Sequence, residues 1–370
     1  MSKLFSPFVL RKLTLENRIV VSPMCQYSAS EGSASDWHLI HLGQLALGGA
    51  GLLCIEASAV EAIGRITPGC LGLYSDDNEA ALRRVLAALR RHTDTPIAIQ
   101  LAHAGRKASS YSPWEGGKLI APEAGGWLPV APSALPFSTA EPPPREMNAA
   151  DLARVREAFV QAARRCKRLG IDAIELHGAH GYLLHTFLSP LSNRRSDDYG
   201  GSLQNRMRFP LEVFSAVREA WPEAKPLGVR ISASDWIEGG WDLAQSIEFA
   251  KQLKALGCDW IDASSGGLAP EQKIALGPGY QVQFAEAIRR EAGIPTIAVG
   301  MITEPRQAED IVAAGRADMV ALARGMLFNP HWAWRAAAEL GGQVRAPKQY
   351  WRAPPRGQEA IFRGAKVGQR

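Results

Sequence analysis

The chain has 370 residues, of which 46% are hydrophobic, 21% charged and 8% aromatic. These proportions exclude a disordered, collagenous or disulfide-scaffold protein. Lys and Arg number 42 against 37 Asp and Glu, and the resulting +5 forms no basic block or stripe, so nucleic acid is not an expected partner.

The N-terminal stretch MSKLFSPFVLRKLTLENR interleaves charges with single apolar residues, unlike a signal peptide. The longest uncharged apolar tract, near 42–55, is shorter than the ~18–20 residues that cross a bilayer. The cysteines at 25, 54, 70, 166 and 258 are odd in number, far apart and without a CxxC. Free thiols in a reducing compartment follow, with no zinc or iron–sulfur site. The expectation is a cytoplasmic protein with no membrane partner.

Short β-branched or apolar runs recur along the chain at 18–23, 51–60, 97–103, 171–177, 227–234, 260–265, 295–300 and 318–323. Between them, 79–91, 151–169, 203–220, 243–256, 282–291 and 306–314 carry apolar residues at helical spacing. Gly170, Gly257 and Gly315 follow three of these segments as stop signals. Eight strands apolar on both faces and alternating with helices predict one (β/α)8 TIM barrel of class α/β spanning 1–370. A doubly wound open sheet is the alternative, and no Gly-x-Gly-x-x-Gly supports it. The stretch 104–147 holds no helical pattern and is crowded with prolines, so it is expected to form a cap insertion over the barrel mouth. Residues 341–370 are expected to form a C-terminal docking tail.

In such a barrel the active site lies at the carboxyl ends of the strands. Cys25 and Tyr27 follow the first strand, Gln100 and His103 end the third, His177, His180 and Tyr182 end the fourth, and Arg230 is in the fifth. Two imidazoles separated by Gly178 and Ala179 suit a clamp on one oxygen, and Tyr182 is a serviceable proton donor. Their spacing also fits a metal, but Glu175 is the only nearby acid, and structural histidines are a third reading. Gly300 after the seventh strand and Arg324 after the eighth lie where barrels commonly hold a phosphate.

The segments LFSPFVLRKLTLENRIVVSPMCQY, QLAHAGRKAS, APSALPF and HGAHGYLLHTFLSPLSNRRSDDYGGSLQNRMRFPLEVFSAVREAW run nearly end to end. They resemble the Old Yellow Enzyme family of FMN-dependent ene reductases (NADPH dehydrogenases). Cys25 after SPM, with the compact length and the QYW tail, resembles its Cys-bearing bacterial branch of xenobiotic-reductase-like proteins. The resemblance implies bound FMN, with Pro23, Met24 and Cys25 lining the isoalloxazine. It implies Ala57 and Gln100 at the pyrimidine edge, Arg230 at N1 and O2, and Gly300 and Arg324 at the phosphate with Gly266 nearby.

It further implies ping-pong chemistry in which a nicotinamide donor, NADPH in preference to NADH, reduces the flavin. An enone, enal or imide then binds through His177 and His180, is oriented by Tyr27 and is protonated by Tyr182. Trp351 and Arg352 match a tail that reaches a neighbour's site in a homodimer or dimer of dimers. Gln204 departs from the family's usual Glu, and Val299 from an aromatic residue found in some relatives. Two other readings stay open: a dihydrouridine synthase-like enzyme, for which an RNA-binding domain is lacking after the barrel, and a non-redox barrel lyase.

Overall fold

The computed structural model describes residues 2–366 and 368, so the last part of the expected tail, 367, 369 and 370, lies outside the described residues. Eight parallel strands form a closed barrel: β1 (Ile19–Val21), β2 (Leu52–Ala59), β3 (Ile97–Ala102), β4 (Ala173–Gly178), β5 (Leu227–Ser232), β6 (Trp260–Ser264), β7 (Thr296–Ala298) and β8 (Met319–Leu322). Each falls within a run expected from the sequence except β4, which extends one residue past 177, and β8 pairs with β1 to close the ring. The helices that follow them are α1 (Asp36–Ala46), α2 (Asp76–Leu89), α3 (Ala149–Arg168), α4 (Leu203–Ala220), α5 (Leu243–Ala255), α6 (Val282–Ala292), α7 (Pro305–Ala313) and α8 (Trp332–Leu340). The fold is a (β/α)8 barrel, not the open doubly wound sheet.

Strand periodicity of two sends alternate side chains to the axis. Val20, Leu52, Cys54, Ala98, Ala173, Trp260, Ile297, Met319 and Ala321 form an inner apolar cluster, separate from the larger one that includes the outer strand faces and the helices. A hairpin of Phe8–Leu10 and Leu13–Leu15 adds buried Leu10 and Leu15 to that inner cluster. Gly228 in β5 is required by close packing, because a Cβ there would lie 2.0 Å from the Trp260 indole.

Four helices among the described residues went unpredicted: α1, α8 and the short Leu183–Leu188 and Arg324–Phe328. The buried face of α1 carries His38 and His41 as well as Leu42 and Leu45, so the apolar periodicity is interrupted by polar residues. α2 starts three residues before the expected 79 because Ser75 caps it, its side chain accepting from the Asn78 N–H.

Segment 104–147 holds no α-helix; it contains the short 3₁₀ turns Gly105–Lys107, Pro113–Glu115 and Pro122–Ala124, an isolated bridge between Ser110 and Leu119, and a two-residue pairing of Val130–Ala131 with Arg145–Glu146. Tyr350 of the tail packs 5.6 Å from Trp334 of α8, and Phe362 lies 4.9 Å from the same ring. No helix among the described residues is long and apolar enough to cross a membrane.

Candidate active site

β4 delivers the densest part of the site. His177 is buried, and its Nδ1 accepts the Ala179 N–H at 3.3 Å. The ring proton is therefore on Nε2. Burial, with Arg230 and Lys107 nearby, holds the imidazole well below its usual pKa, so it is a neutral donor. His180 sits in the left-handed region at φ 58°, a conformation that costs a non-glycine residue on the order of 1 kcal/mol. Its backbone N–H donates to Ser232 Oγ, and its Nε2 lies 2.7 Å from Ser264 Oγ.

The two imidazole rings are 5.1 Å apart and perpendicular. The Tyr182 ring stands edge-on to His177 at 4.9 Å. Burial pushes the Tyr182 phenol well above its ordinary value, so it stays protonated until a strong base meets it.

Sequence reasoning missed the residues that hold this loop. His185 is fully buried; its Nδ1 accepts the Gly181 N–H at 2.8 Å, and its Nε2 lies 2.9 Å from Asp235 Oδ1. Asp235 also accepts from Ser189 Oγ and the Trp241 N–H. Lys107, from the segment after β3, donates its ammonium to the carbonyls of His180 and Gly267 and lies 5.2 Å from the Tyr182 ring centroid. Burial lowers its pKa to about 8. Such bonds join residues far apart in sequence; the signals available were His185 in HGYLLH and the Arg106–Lys107 pair after β3.

One layer deeper, register places Ala57 opposite Gln100, Gln100 opposite Glu175, and Arg230 between His177 and Asp262. Arg230 is buried, and its Nε is 3.4 Å from Asp262 Oδ2 without a hydrogen-bond partner. It lines a cavity of about 610 Å³ at the ends of β5 to β8 with Ser264, Tyr280, Gln281, Val299, Gly300 and Arg324. Arg324 is exposed and enters no ion pair among the described residues. A buried guanidinium deep in the cavity whose Nε is ion-paired to Asp262 but not hydrogen-bonded, and an unpaired one at its mouth among the described residues, fit an anionic, planar ligand such as FMN.

Several predicted residues lie outside that cavity. Pro23, Met24 and Cys25 follow β1, and Tyr27, at φ 53°, lines a separate space of about 170 Å³ with Arg106, Lys107 and Phe137. Gly266 follows β6; its N–H donates to the Ser234 carbonyl and its own carbonyl accepts from Ser232 Oγ, away from Arg324's wall. Trp351 donates its Nε1–H to the Ala346 carbonyl, and the exposed Arg352 beside it lines neither space in this chain. Gln204 is exposed on the first turn of α4.

Residues 3–343 match the NADH:flavin oxidoreductase / NADH oxidase family. An NADPH dehydrogenase of Geobacillus sp. (strain WCH70) is 49% identical over 351 residues, covering 94% of this chain and 98% of the relative. That of Geobacillus thermodenitrificans (strain NG80-2) is 48% identical over the same shares of the two chains. Among solved structures, morphinone reductase in complex with tetrahydroNAD superposes with a TM-score of 0.76 at 28% identity, covering 99% of this chain and 96% of that one. With family, relatives and barrel in agreement, the chain belongs to the NADH:flavin oxidoreductase / NADH oxidase family, that of the Old Yellow Enzyme resemblance, and is a flavin oxidoreductase.

Proposed function

We propose that the protein is an ene reductase that draws on NADPH in preference to NADH and reduces the C=C bond of enones, enals and imides, with Tyr182 as proton donor. The observation that carries this reading is the meeting of His177, His180 and Tyr182 at the end of β4, next in register to Arg230. Bound FMN would supply the ping-pong hydride chemistry between the nicotinamide and the alkene. Arg230 would hold the negative side of the cofactor, Gln100 and Ala57 its pyrimidine edge, and Gly300 and Arg324 its phosphate, while Pro23, Met24, Cys25 and Gly266 would complete the cradle.

His177 presents Nε2–H to the substrate carbonyl oxygen. His180 joins it by exchanging its Ser264 partner for that oxygen, so both withdraw electron density from the alkene. Tyr182 then gives its proton to the α-carbon, a transfer for which a phenol kept neutral by burial is suited. Tyr27 orients the substrate, and segment 104–147, tied across the mouth by Lys107, excludes water. We assign the protein to the cytoplasm as a homodimer or dimer of dimers, with Trp351 and Arg352 of one subunit at its neighbour's site.

The test is an anaerobic titration of FMN-reconstituted protein with NADPH and, separately, NADH, followed by reoxidation with 2-cyclohexenone. Bleaching of the flavin at lower NADPH than NADH, and recovery of its colour with the enone, are expected. Failure to take up FMN, or no reoxidation by the enone, overturns the reading.

A further inference from the structure

Beneath the proposed cofactor edge the barrel axis carries two carboxylates that the reaction above does not use. Glu175 of β4 is buried; its Oε1 accepts from Gln100 Nε2 at 2.8 Å and its Oε2 from Trp260 Nε1 at 3.2 Å. Asp262 of β6 is also buried, its Oδ2 faces Arg230 Nε at 3.4 Å, and its Oδ1 has no hydrogen-bond partner. Glu175 and His177 lie two apart on one strand and so share its inward face.

The groups around Glu175 are few. They are Cys54 from β2, Gln100 from β3, His177 on its own strand, Arg230 from β5, and Asp262 and Trp260 from β6. β1, β7 and β8 turn only Val20, Ile297, Val299, Met319 and Ala321 into the inner cluster. Two buried carboxylates therefore face a single buried cation. Both cannot be ionised there without one charge left uncompensated.

We propose that Glu175, with Asp262 beside it, is a buried proton acceptor coupled to the cofactor's charge: it takes one proton from water when the space over Arg230 gains a negative charge, and releases it when that charge leaves. The argument rests on the proposed flavin chemistry. When the cofactor is reduced, two electrons and one proton arrive together from the nicotinamide, and the negative charge that results claims Arg230. The carboxylates lose part of their counter-charge, and the proton affinity of Glu175 rises on the order of tenfold or more. The further proton comes from solvent and forms an O–H bond on a Glu175 oxygen. The O–H bond of the solvent hydronium or water that gives the proton is the one that breaks, and no electron passes to or from the carboxyl group. Burial and Asp262 already raise Glu175 to about 7 while Arg230 opposes them, so the coupled window opens near neutral pH.

The experiment uses the FMN-loaded protein. Its two-electron midpoint potential, followed with redox dyes, is measured across pH, together with the reduced-minus-oxidised infrared difference spectrum. The expected result is a pH slope of one proton per two electrons at acid pH, two protons above about pH 7, and a return to one at more alkaline pH. A carboxylic-acid C=O band should grow in on reduction within the steep window.

In Glu175→Gln, whose amide oxygen still accepts from Trp260 while its NH2 faces a turned Gln100 amide oxygen, the steep window and the band should both vanish. In Asp262→Asn the loss of the like charge should move the window to lower pH, which keeps the test available if Glu175→Gln does not fold. A one-proton slope throughout in the wild type, or a window that survives Glu175→Gln, overturns the inference. Failure of the protein to bind FMN would instead overturn the functional reading on which it rests.

Discussion

Three imidazoles fall within the nine residues HGAHGYLLH, and what each touches separates their roles. His177 has a free Nε2–H, His180 Nε2 is hydrogen-bonded with Ser264, and His185 is locked between Gly181 and Asp235. Tyr182→Phe should lower enone reoxidation of the flavin by roughly 10²- to 10⁴-fold, the usual worth of a placed acid, with the rate of flavin reduction by NADPH unchanged in stopped flow. Asp235→Ala should cost about 3–5 kcal/mol in urea unfolding, because it leaves His185, Ser189 and the Trp241 N–H facing a void. The two buried acids act in opposite senses with pH. Burial would raise Asp235, but His185, Ser189 and Trp241 hold it below the ordinary aspartate value. Its contribution to stability is present above about pH 3.9 and is lost as the pH falls through its lower folded value. Glu175 is raised to about 7, so its contribution is complete below about pH 4.3 and is lost as the pH rises toward 7. Urea midpoints of the cofactor-free protein should therefore decline more steeply over that interval in the wild type than in Glu175→Gln; parallel profiles would refute the assignment.

At the scale of elements, the hairpin at Phe8–Leu15 makes a sharp test of how the barrel floor is sealed. Leu15 is completely buried in the inner cluster, and Leu15→Ala should cost about 2–5 kcal/mol, the range for a core leucine whose cavity cannot collapse. All eight strands were legible because a strand buried on both faces is a short apolar run wherever it occurs. Helix α1 was not. Its inward positions include His38, whose Nδ1 accepts the Ser35 N–H and whose Nε2 lies 3.3 Å from Glu56, and His41, lowered to about 4 by burial. A period written in histidines does not register as apolar. The same limit applied to the site. The candidate site residues cluster at strand ends and could be named by position, whereas Ser264, Asp235 and Lys107 act through bonds spanning 84, 50 and 73 residues of chain, to His180, His185 and His180 respectively. Only the folded barrel shows that register.

For the whole molecule, the tail decides whether a site belongs to one chain or two. Tyr350 and Phe362 hold the tail against Trp334 of α8, and Arg352 enters no ion pair among the described residues and lines no part of its own chain's cavities at the barrel mouth. If Arg352 serves a neighbour in a symmetric dimer, the two halves of the site can be supplied by different subunits. Arg352→Ala and Tyr182→Phe should each depress enone reduction when homodimeric. Equal amounts of the two variants, dissociated and reassembled at random, should then regain roughly a quarter of the wild-type sites, since half the dimers are mixed and each holds one site with both Tyr182 and the partner's Arg352. An arginine acting in its own chain predicts no recovery, because every subunit then carries one defect in its own site. A dimer that survives both substitutions, followed by size-exclusion chromatography with light scattering, makes the two outcomes separable: recovery requires the tail to cross, and its absence in an intact mixed dimer returns Arg352 to the surface of the subunit that carries it.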